Sequence, residues 1–176
     1  MLRNAILVML CMVGAMSARG EIKFDEGRWR LELTGASGVH QGSRDRSGDE
    51  SASLTVEYEF PAARRLTLGL RVTPLFMYDD PDHTVWGAGA GLTLRVYRVK
   101  DEYRGLYCEL EESVLVHHHR ISGNSSNLNF QTGAGIGYQF RNNWHVVVRY
   151  AHISNASLGK RNAGANSIGV GLGFTF

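Results

Sequence analysis

The part of the sequence best suited to chemistry is the segment 149–167, which carries one histidine, three serines and three asparagines. His152 and Ser154 are two residues apart, so both side chains project from one face if the segment is a strand. An imidazole beside a hydroxyl is the minimum set for acyl transfer, because the imidazole takes the serine proton and later returns it to the leaving alcohol. The spacing alone is weak evidence, since Ser154-Asn155 also suits the start of a turn.

Two other clusters contain residue types that bind metal ions. His117, His118 and His119 are consecutive, so strand alternation separates the middle side chain from the other two and the three cannot converge without a bend. The acidic run from Asp79 to Asp82 has oxygen ligands for a divalent cation, but it also has the composition of a solvated turn. We therefore expect no metal ion and no other cofactor.

The elements that would position these groups are segments in which apolar residues recur at every second position. Polar breaks separate the segments, and helices are nearly absent. Glycine is abundant, with 21 residues, and proline is scarce, with three, which fits many strands better than disorder or a helical bundle. The pattern predicts an all-β chain of eight antiparallel strands, with apolar stripes in the ranges 29–33, 54–60, 66–78, 86–96, 106–116, 128–140, 144–150 and 168–176.

The second face of the same strands is polar and rich in glycine, and it includes Glu57, Arg95 and Arg149. Alternation alone does not decide which face is inside, and a soluble periplasmic lipocalin-like binder would bury the apolar one. Aromatic residues bracket the apolar stripes, as they do at the interfaces of outer-membrane barrels. Strands in lipid must close to satisfy their backbone. We therefore expect an eight-stranded transmembrane β-barrel of the outer-membrane type, too narrow for a pore once side chains fill it.

The first 20 residues have the layout of a secretory signal peptide. Arg3 precedes an apolar block, residues 5–16, and small residues follow it. Cleavage after residue 17 or 20 would leave residues 21–176 as the barrel. If both ends of the barrel face the periplasm, the segment 154–166 is an extracellular loop, and the face of the strand before it meets the outer-leaflet headgroups.

Charge and cysteine content exclude two classes of protein. The chain has 19 Lys and Arg and 17 Asp and Glu, and loss of Arg3 and Arg19 with the signal leaves 17 of each. A neutral chain without a basic run is a poor nucleic-acid binder. Cys11 leaves with the signal, so Cys108 has no partner for an internal disulfide.

One charged residue does not fit the apolar stripes. Glu112 has the outward parity of Leu110 and Val114, which would face lipid. A charge on the lipid face at mid-membrane costs roughly 2–4 kcal/mol for basic residues and less for acidic ones. A local bulge in the strand is the explanation that the sequence offers.

Two short motifs near the C-terminus resemble those of the lipid A 3-O-deacylases of the PagL type: His152-x-Ser154-Asn155 and Asn162-x-Gly164. The eight-strand plan extends the similarity over the mature chain, but only as architecture. The resemblance implies a carboxylic ester hydrolase in which His152 is the general base and Ser154 is the nucleophile. It also implies an oxyanion hole formed by Asn155, Asn162 and Gly164.

One position departs from the pattern of this family. Where such an enzyme carries the glutamate that orients the histidine, this chain has Asn166. Asn166 shares the outward parity of Ile168, so it can stand beside His152 across the last hairpin. An amide oxygen can hold the tautomer of the imidazole, but it does not stabilise the imidazolium as a carboxylate does.

The resemblance implies an enzyme of the bacterial outer membrane that hydrolyses the ester-linked acyl chain at the 3-O position of lipid A or lipopolysaccharide. A nucleophile on the outside of a barrel can meet only a lipid or another membrane protein, which agrees with a substrate in the outer leaflet. The alternative is a non-catalytic small outer-membrane barrel that stabilises the membrane or binds a surface partner. The sequence leaves the oligomeric state open, a homodimer being among the states it allows.

Overall fold

The computed structural model describes residues 22–40 and 45–176, so the signal peptide expected at residues 1–20 lies outside the described residues. Within the described ranges helix is confined to one 3₁₀ turn, Phe24–Glu26, and no helix is long and apolar enough to cross a membrane. The strands are β1 (Arg28–Gly38), β2 (Glu50–Ala63), β3 (Leu66–Asp79), β4 (Thr84–Tyr97), β5 (Gly105–His117), β6 (Leu128–Gln139), β7 (Trp144–Ser154) and β8 (Ala165–Thr175).

The strands form one closed antiparallel barrel. Each strand pairs with the next in sequence, and β1 pairs with β8. Trp29 and Phe176 complete the closure, because the N–H of each donates to the carbonyl of the other over 2.9 Å. A sheet in lipid cannot leave backbone groups unpaired at an edge, so closure is what makes these strands stable there. The predicted eight-stranded barrel is confirmed.

The apolar stripes face outward. Leu33, Ile136 and Val170 are 62%, 59% and 54% exposed, while the residues beside them in each strand are largely buried. A soluble sandwich has the opposite arrangement, with the apolar face inside. Trp86 and Trp144 also lie on the outer surface, each 46% exposed. The outer surface is therefore suited to lipid, as the alternation and the aromatic residues predicted.

The inside of the barrel holds a network of buried charges. Arg95 pairs with Glu57 and, at 3.0 Å, with Glu109. Arg149 lies 2.5 Å from Glu109 and 3.0 Å from Glu111. Charges out of water are tolerated when they are paired in good geometry. The polar face of the strands supplies these inward side chains: Glu57, Glu59, Arg71, Arg95, Glu109, Glu111 and Arg149.

Removal of one charge from this network should destabilise the barrel. In Arg95→Ala, Glu57 and Glu109 would lose a shared cation, so we expect the free energy of unfolding to fall by about 3–5 kcal/mol. Urea denaturation in detergent micelles measures this change. Arg64→Ala is the control, because Arg64 pairs with Asp101 on the exposed surface and such a pair contributes about 0–1 kcal/mol. Equal unfolding midpoints for the two variants would contradict the role of the buried network.

Candidate active site

The two candidate catalytic side chains stand on the outer surface of β7, close to its C-terminal end. His152 pairs across the sheet with Thr132 on β6 and with Asn166 on β8. Ser154 is the last residue of β7 and pairs with Phe130 on β6. Both side chains are half-buried. They share the face of the apolar stripe, so they are accessible from the lipid side of the barrel.

A hydrogen bond joins His152 to Asn166. The imidazole Nδ1–H donates to Asn166 Oδ1 over 2.8 Å, and the Tyr150 hydroxyl donates to the same oxygen over 2.8 Å. Two donors on one atom orient the amide, since the amide nitrogen is itself a donor and cannot accept them. The proton on Nδ1 leaves a lone pair on Nε2 of the neutral imidazole. This is the tautomer that a general base for a serine hydroxyl requires.

Gly164 packs against the imidazole from the loop between β7 and β8. A Cβ atom at this position would lie 2.6 Å from Cε1 and 3.3 Å from Nε2 of His152, so a side chain here would displace the ring. Within the described part of the chain no direct hydrogen bond joins His152 and Ser154. Catalytic hydrogen bonds are often long before substrate binds and tighten in the complex.

Asn155 shapes the loop that follows Ser154. Its buried Nδ2 donates to Asn124 Oδ1 over 2.6 Å and to the Arg161 carbonyl over 2.7 Å, and its Oδ1 accepts from the Ser157 N–H. Ala156 and Ser157 have φ angles of 51° and 65°, in the left-handed region that is costly for residues other than glycine. Both side-chain N–H groups of Asn155 are engaged inside the protein, so this amide holds the strained loop.

The donors that remain for a ligand come from the same loop. Asn162 Oδ1 accepts the Asn155 N–H over 3.0 Å, which fixes the position of the exposed Asn162 side chain. In residues 22–40 and 45–176, neither Asn162 Nδ2 nor the Ala156 N–H donates to another group. Two N–H donors close to the end of β7 are the kind of group that stabilises an oxyanion.

A chain of buried side chains supports Asn155, and the strand pattern did not indicate it. Asn124 Nδ2 donates to Asn129 Oδ1 over 2.6 Å, and Asn129 Nδ2 lies 2.5 Å from His117 Nε2. Asn129 is fully buried and His117 is 4% exposed. An isolated backbone bridge also joins Asn124 to Asn162. The loop between β5 and β6 therefore holds the loop that carries the candidate site.

Arg46, from the charged segment between β1 and β2, connects the same loops. Its side chain is 1% exposed, and the guanidinium donates to the carbonyl oxygens of Ser122 and Ala163 over 2.8 Å and 2.7 Å. Asp49 balances its charge at 3.1 Å. A single buried arginine in a polar loop is not part of any repeating pattern of apolar residues. The role of Arg46 could therefore not be predicted from the sequence.

The acidic run after β3 also joins two loops. Asp80 accepts backbone hydrogen bonds from Ser122, Asp82 and His83. Burial opposes ionisation, but these N–H groups hold the pKa of the Asp80 carboxyl below its usual range. No group of three or more His, Cys, Asp or Glu side chains in the described residues is arranged to hold a metal ion. The hydrogen bonds of Asp80 account for its position in the loop.

The barrel has counterparts among known proteins. The family model described as "Lipid A 3-O-deacylase (PagL)" matches residues 13–175. The crystal structure of the outer membrane enzyme PagL superposes with a TM-score of 0.69 and 17% identity, over 82% of this chain and 98% of that one. The N-terminal β-barrel domain of Pseudomonas aeruginosa OprF has a TM-score of 0.53, 16% identity and coverage of 90% and 100%. Neisserial surface protein A has a TM-score of 0.53, 14% identity and coverage of 86% and 97%. No curated protein matches the chain.

The structural likenesses, at these identities, show the fold. The family match is different in kind, because it spans nearly the whole chain, including the segment from His152 to Asn166. A closed barrel with an apolar exterior and a charged interior requires a surrounding bilayer. The protein is located in the bacterial outer membrane, and the chain belongs to the lipid A 3-O-deacylase (PagL) family.

Proposed function

We propose that this protein hydrolyses the 3-O-linked acyl ester of lipid A or lipopolysaccharide in the outer leaflet, with Ser154 as nucleophile and His152 as general base. The observation that carries the proposal is the hydrogen bond between His152 and Asn166 on the lipid-facing surface. His152 lies two residues before Ser154, the last residue of β7. The bond prepares Nε2 to accept a proton. The outward position makes the bilayer the source of the substrate, and membership of the family indicates its class.

The first half of the reaction forms an acyl-enzyme. Ser154 Oγ attacks the ester carbonyl carbon while its proton passes to His152 Nε2, and the carbonyl electron pair moves onto oxygen. Collapse of this tetrahedral intermediate restores the C=O bond and breaks the bond to the sugar oxygen. The imidazolium gives its proton to that oxygen, and the sugar leaves with a free hydroxyl.

The second half releases the acyl chain. Water attacks the acyl carbon of the Ser154 ester, and His152 accepts a proton from the water. The bond to Ser154 Oγ breaks, the serine regains its proton from the imidazolium, and a fatty acid leaves. In both halves the oxyanion would be bound by Asn162 Nδ2 and by backbone N–H groups near Ala156 and Gly164, while Asn155 holds the loop in shape.

Mass spectrometry of lipid A tests this proposal. Cells that express the protein should contain lipid A lighter by one ester-linked acyl chain, and cells without it should not. Purified protein in mixed micelles with lipopolysaccharide should release the matching free fatty acid. If the mass of lipid A in cells is unchanged and no fatty acid is released in micelles, while folded protein is present in the outer membrane fraction, the non-catalytic barrel is favoured.

Gly164→Ala should reduce activity through the position of the imidazole. The added Cβ would overlap His152 Cε1, and a displacement of about 1 Å at a catalytic group can lower the rate about 10²-fold. We expect that loss in kcat/KM for fatty-acid release, with unchanged heat-modifiable migration of the barrel. Gly35→Ala is the control, because no atom lies within 4 Å of a Cβ at that position. A fully active Gly164→Ala would contradict the assigned role of His152.

A further inference from the structure

Glu112 lies on the lipid-facing surface of β5, between Leu110 and Val114 of the same stripe. The bulge expected from the sequence is absent here, because the β4–β5 and β5–β6 registers run through Glu112 without a shift. That explanation was wrong, and the outward position of Glu112 belongs to the regular strand. Its Oε2 accepts a hydrogen bond from the Thr132 hydroxyl on β6 over 2.7 Å. Its Oε1 has no hydrogen-bond partner among the described residues.

The register places Glu112 in one row with the candidate catalytic residues. Glu112 pairs with Thr132 on β6, and Thr132 pairs with His152 on β7. His152 in turn pairs with Asn166 on β8. Neighbouring strands lie about 4.8 Å apart, so the carboxylate that binds Thr132 approaches the strand of His152. On the other side of Glu112 the row continues through two apolar residues, Leu92 on β4 and Leu70 on β3.

Among the described residues of β5 to β8, no other acid lies on the outer surface. The strands β6, β7 and β8 contain no Asp or Glu. The remaining acids of β5, Glu109 and Glu111, are buried inside the barrel and paired with Arg149. An ionisable residue on the lipid face is costly and marks a functional role more often than a structural one. Glu112 is therefore the source of negative charge that these strands offer to His152, from a position two strands away.

The other groups around His152 do not supply this charge. Tyr150 and Asn166 are neutral hydrogen-bond partners of the site. The Nε atom of Arg46 lies 3.4 Å from the carbonyl oxygen of Gly164. Asp49 balances the charge of Arg46 within the loops. Lys160 and Arg161 are exposed cations of the β7–β8 loop. The β7–β8 loop, residues 155–164, contains cations and no acid, so a carboxylate that stabilises an imidazolium at His152 would come from the β5 side.

We propose that Glu112 is a positioning residue for the deacylase reaction, in which it acts through Thr132 to stabilise the imidazolium form of His152. The inference rests on the proposed function and deepens it. Asn166 holds the tautomer but carries no charge, and Glu112 supplies the charge from β5, two strands away on the opposite side. A lipid-facing site has a lower effective dielectric constant than water, which strengthens the interaction between charges. A carboxylate two strands away can therefore still stabilise the imidazolium.

Glu112→Gln tests the charge, because the amide keeps the shape and still accepts the Thr132 hydrogen bond. His152 lies two strand spacings, about 10 Å, from Glu112, and a unit charge at that distance with an effective dielectric constant of about 20 alters an equilibrium about 10- to 20-fold. We therefore expect kcat to fall about 10- to 20-fold with KM unchanged. The urea unfolding midpoint should not fall, since the variant removes a charge from the lipid face. Thr132→Val should lose activity as well, and Thr132→Ser, which keeps the hydroxyl, should lose less.

Moving the carboxylate from position 112 to position 166 distinguishes an electrostatic role of Glu112 from a structural one. The double variant Glu112→Gln with Asn166→Glu places a carboxylate directly beside His152, and we expect it to recover the lost kcat. Wild-type kcat in Glu112→Gln, or no recovery in the double variant, would overturn the inference. An inactive Ser154→Ala measured in the same assay would then leave the proposed function standing. If instead the wild-type protein releases no fatty acid, or Ser154→Ala releases it at the wild-type rate, the proposed function and this inference both fail.

Discussion

Ser154→Ala should abolish acyl-chain release, with a loss of about 10⁴- to 10⁶-fold in kcat, because the alanine has no nucleophile. His152→Ala should lose a similar factor, since a serine without its base is not activated. The double variant should be no worse than either single variant, because residues that act as one unit lose activity non-additively. Fatty-acid release from lipopolysaccharide in mixed micelles measures all three.

Neither substitution should affect the barrel. Ser154 is half-buried at a strand end, so its hydroxyl contributes little to packing, and heat-modifiable migration should be retained. Ser157→Ala is the matched control, because Ser157 is an exposed serine of the same loop and makes its contact to Asn155 through the backbone N–H. Full activity in Ser154→Ala would show that Ser154 is not the nucleophile of the reaction.

The second large effect is expected at Asn166, and its sign depends on the substituent. Asn166→Leu removes the acceptor that holds Nδ1–H of His152, so the imidazole loses its tautomer and orientation and kcat should fall about 10³-fold. Asn166→Glu replaces the acceptor by a carboxylate that also favours the imidazolium of the transition state. We expect this variant to raise kcat about tenfold. Single-turnover measurements on a defined acyl ester separate this step from product release.

The two Asn166 variants also test whether a residue from another part of the chain orients His152. An unchanged rate in both would mean that another group orients His152. If an acid between His40 and Glu50 then proved essential, the charge would come from the loop between β1 and β2, and the assignment of Asn166 and Glu112 would be wrong.

Most of the fold could be predicted from the sequence because the period of a strand is local. Ile168, Val170 and Leu172 show the outward face of β8 without reference to any other strand. Closure then follows from the lipid environment, which leaves no edge unpaired. The positions of His152 and Asn166 depend on one hairpin, so parity was sufficient to place them side by side.

The rest depends on contacts between distant parts of the chain. Arg46 and Asn124 come from different loops, and their burial is determined by how the loops meet above the barrel. The relation of Glu112 to His152 requires the register of two strand pairs, and a shift of one residue would turn Glu112 inward. For that reason the sequence presented Glu112 as a misfit, and the structure places it in the row of the candidate site.

The outward orientation of His152 and Ser154 also determines how the protein encounters other molecules. Any molecule that reaches these side chains from the bilayer is confined to the same two-dimensional fluid as the barrel. Its encounter frequency therefore depends on lateral diffusion and on its mole fraction among the surrounding lipids. Dilution of an assay with detergent should lower the rate even when the bulk concentration of lipopolysaccharide is constant. Kinetic constants for such a site are properly expressed per unit of surface, and values in bulk molar units would vary with the amount of carrier amphiphile.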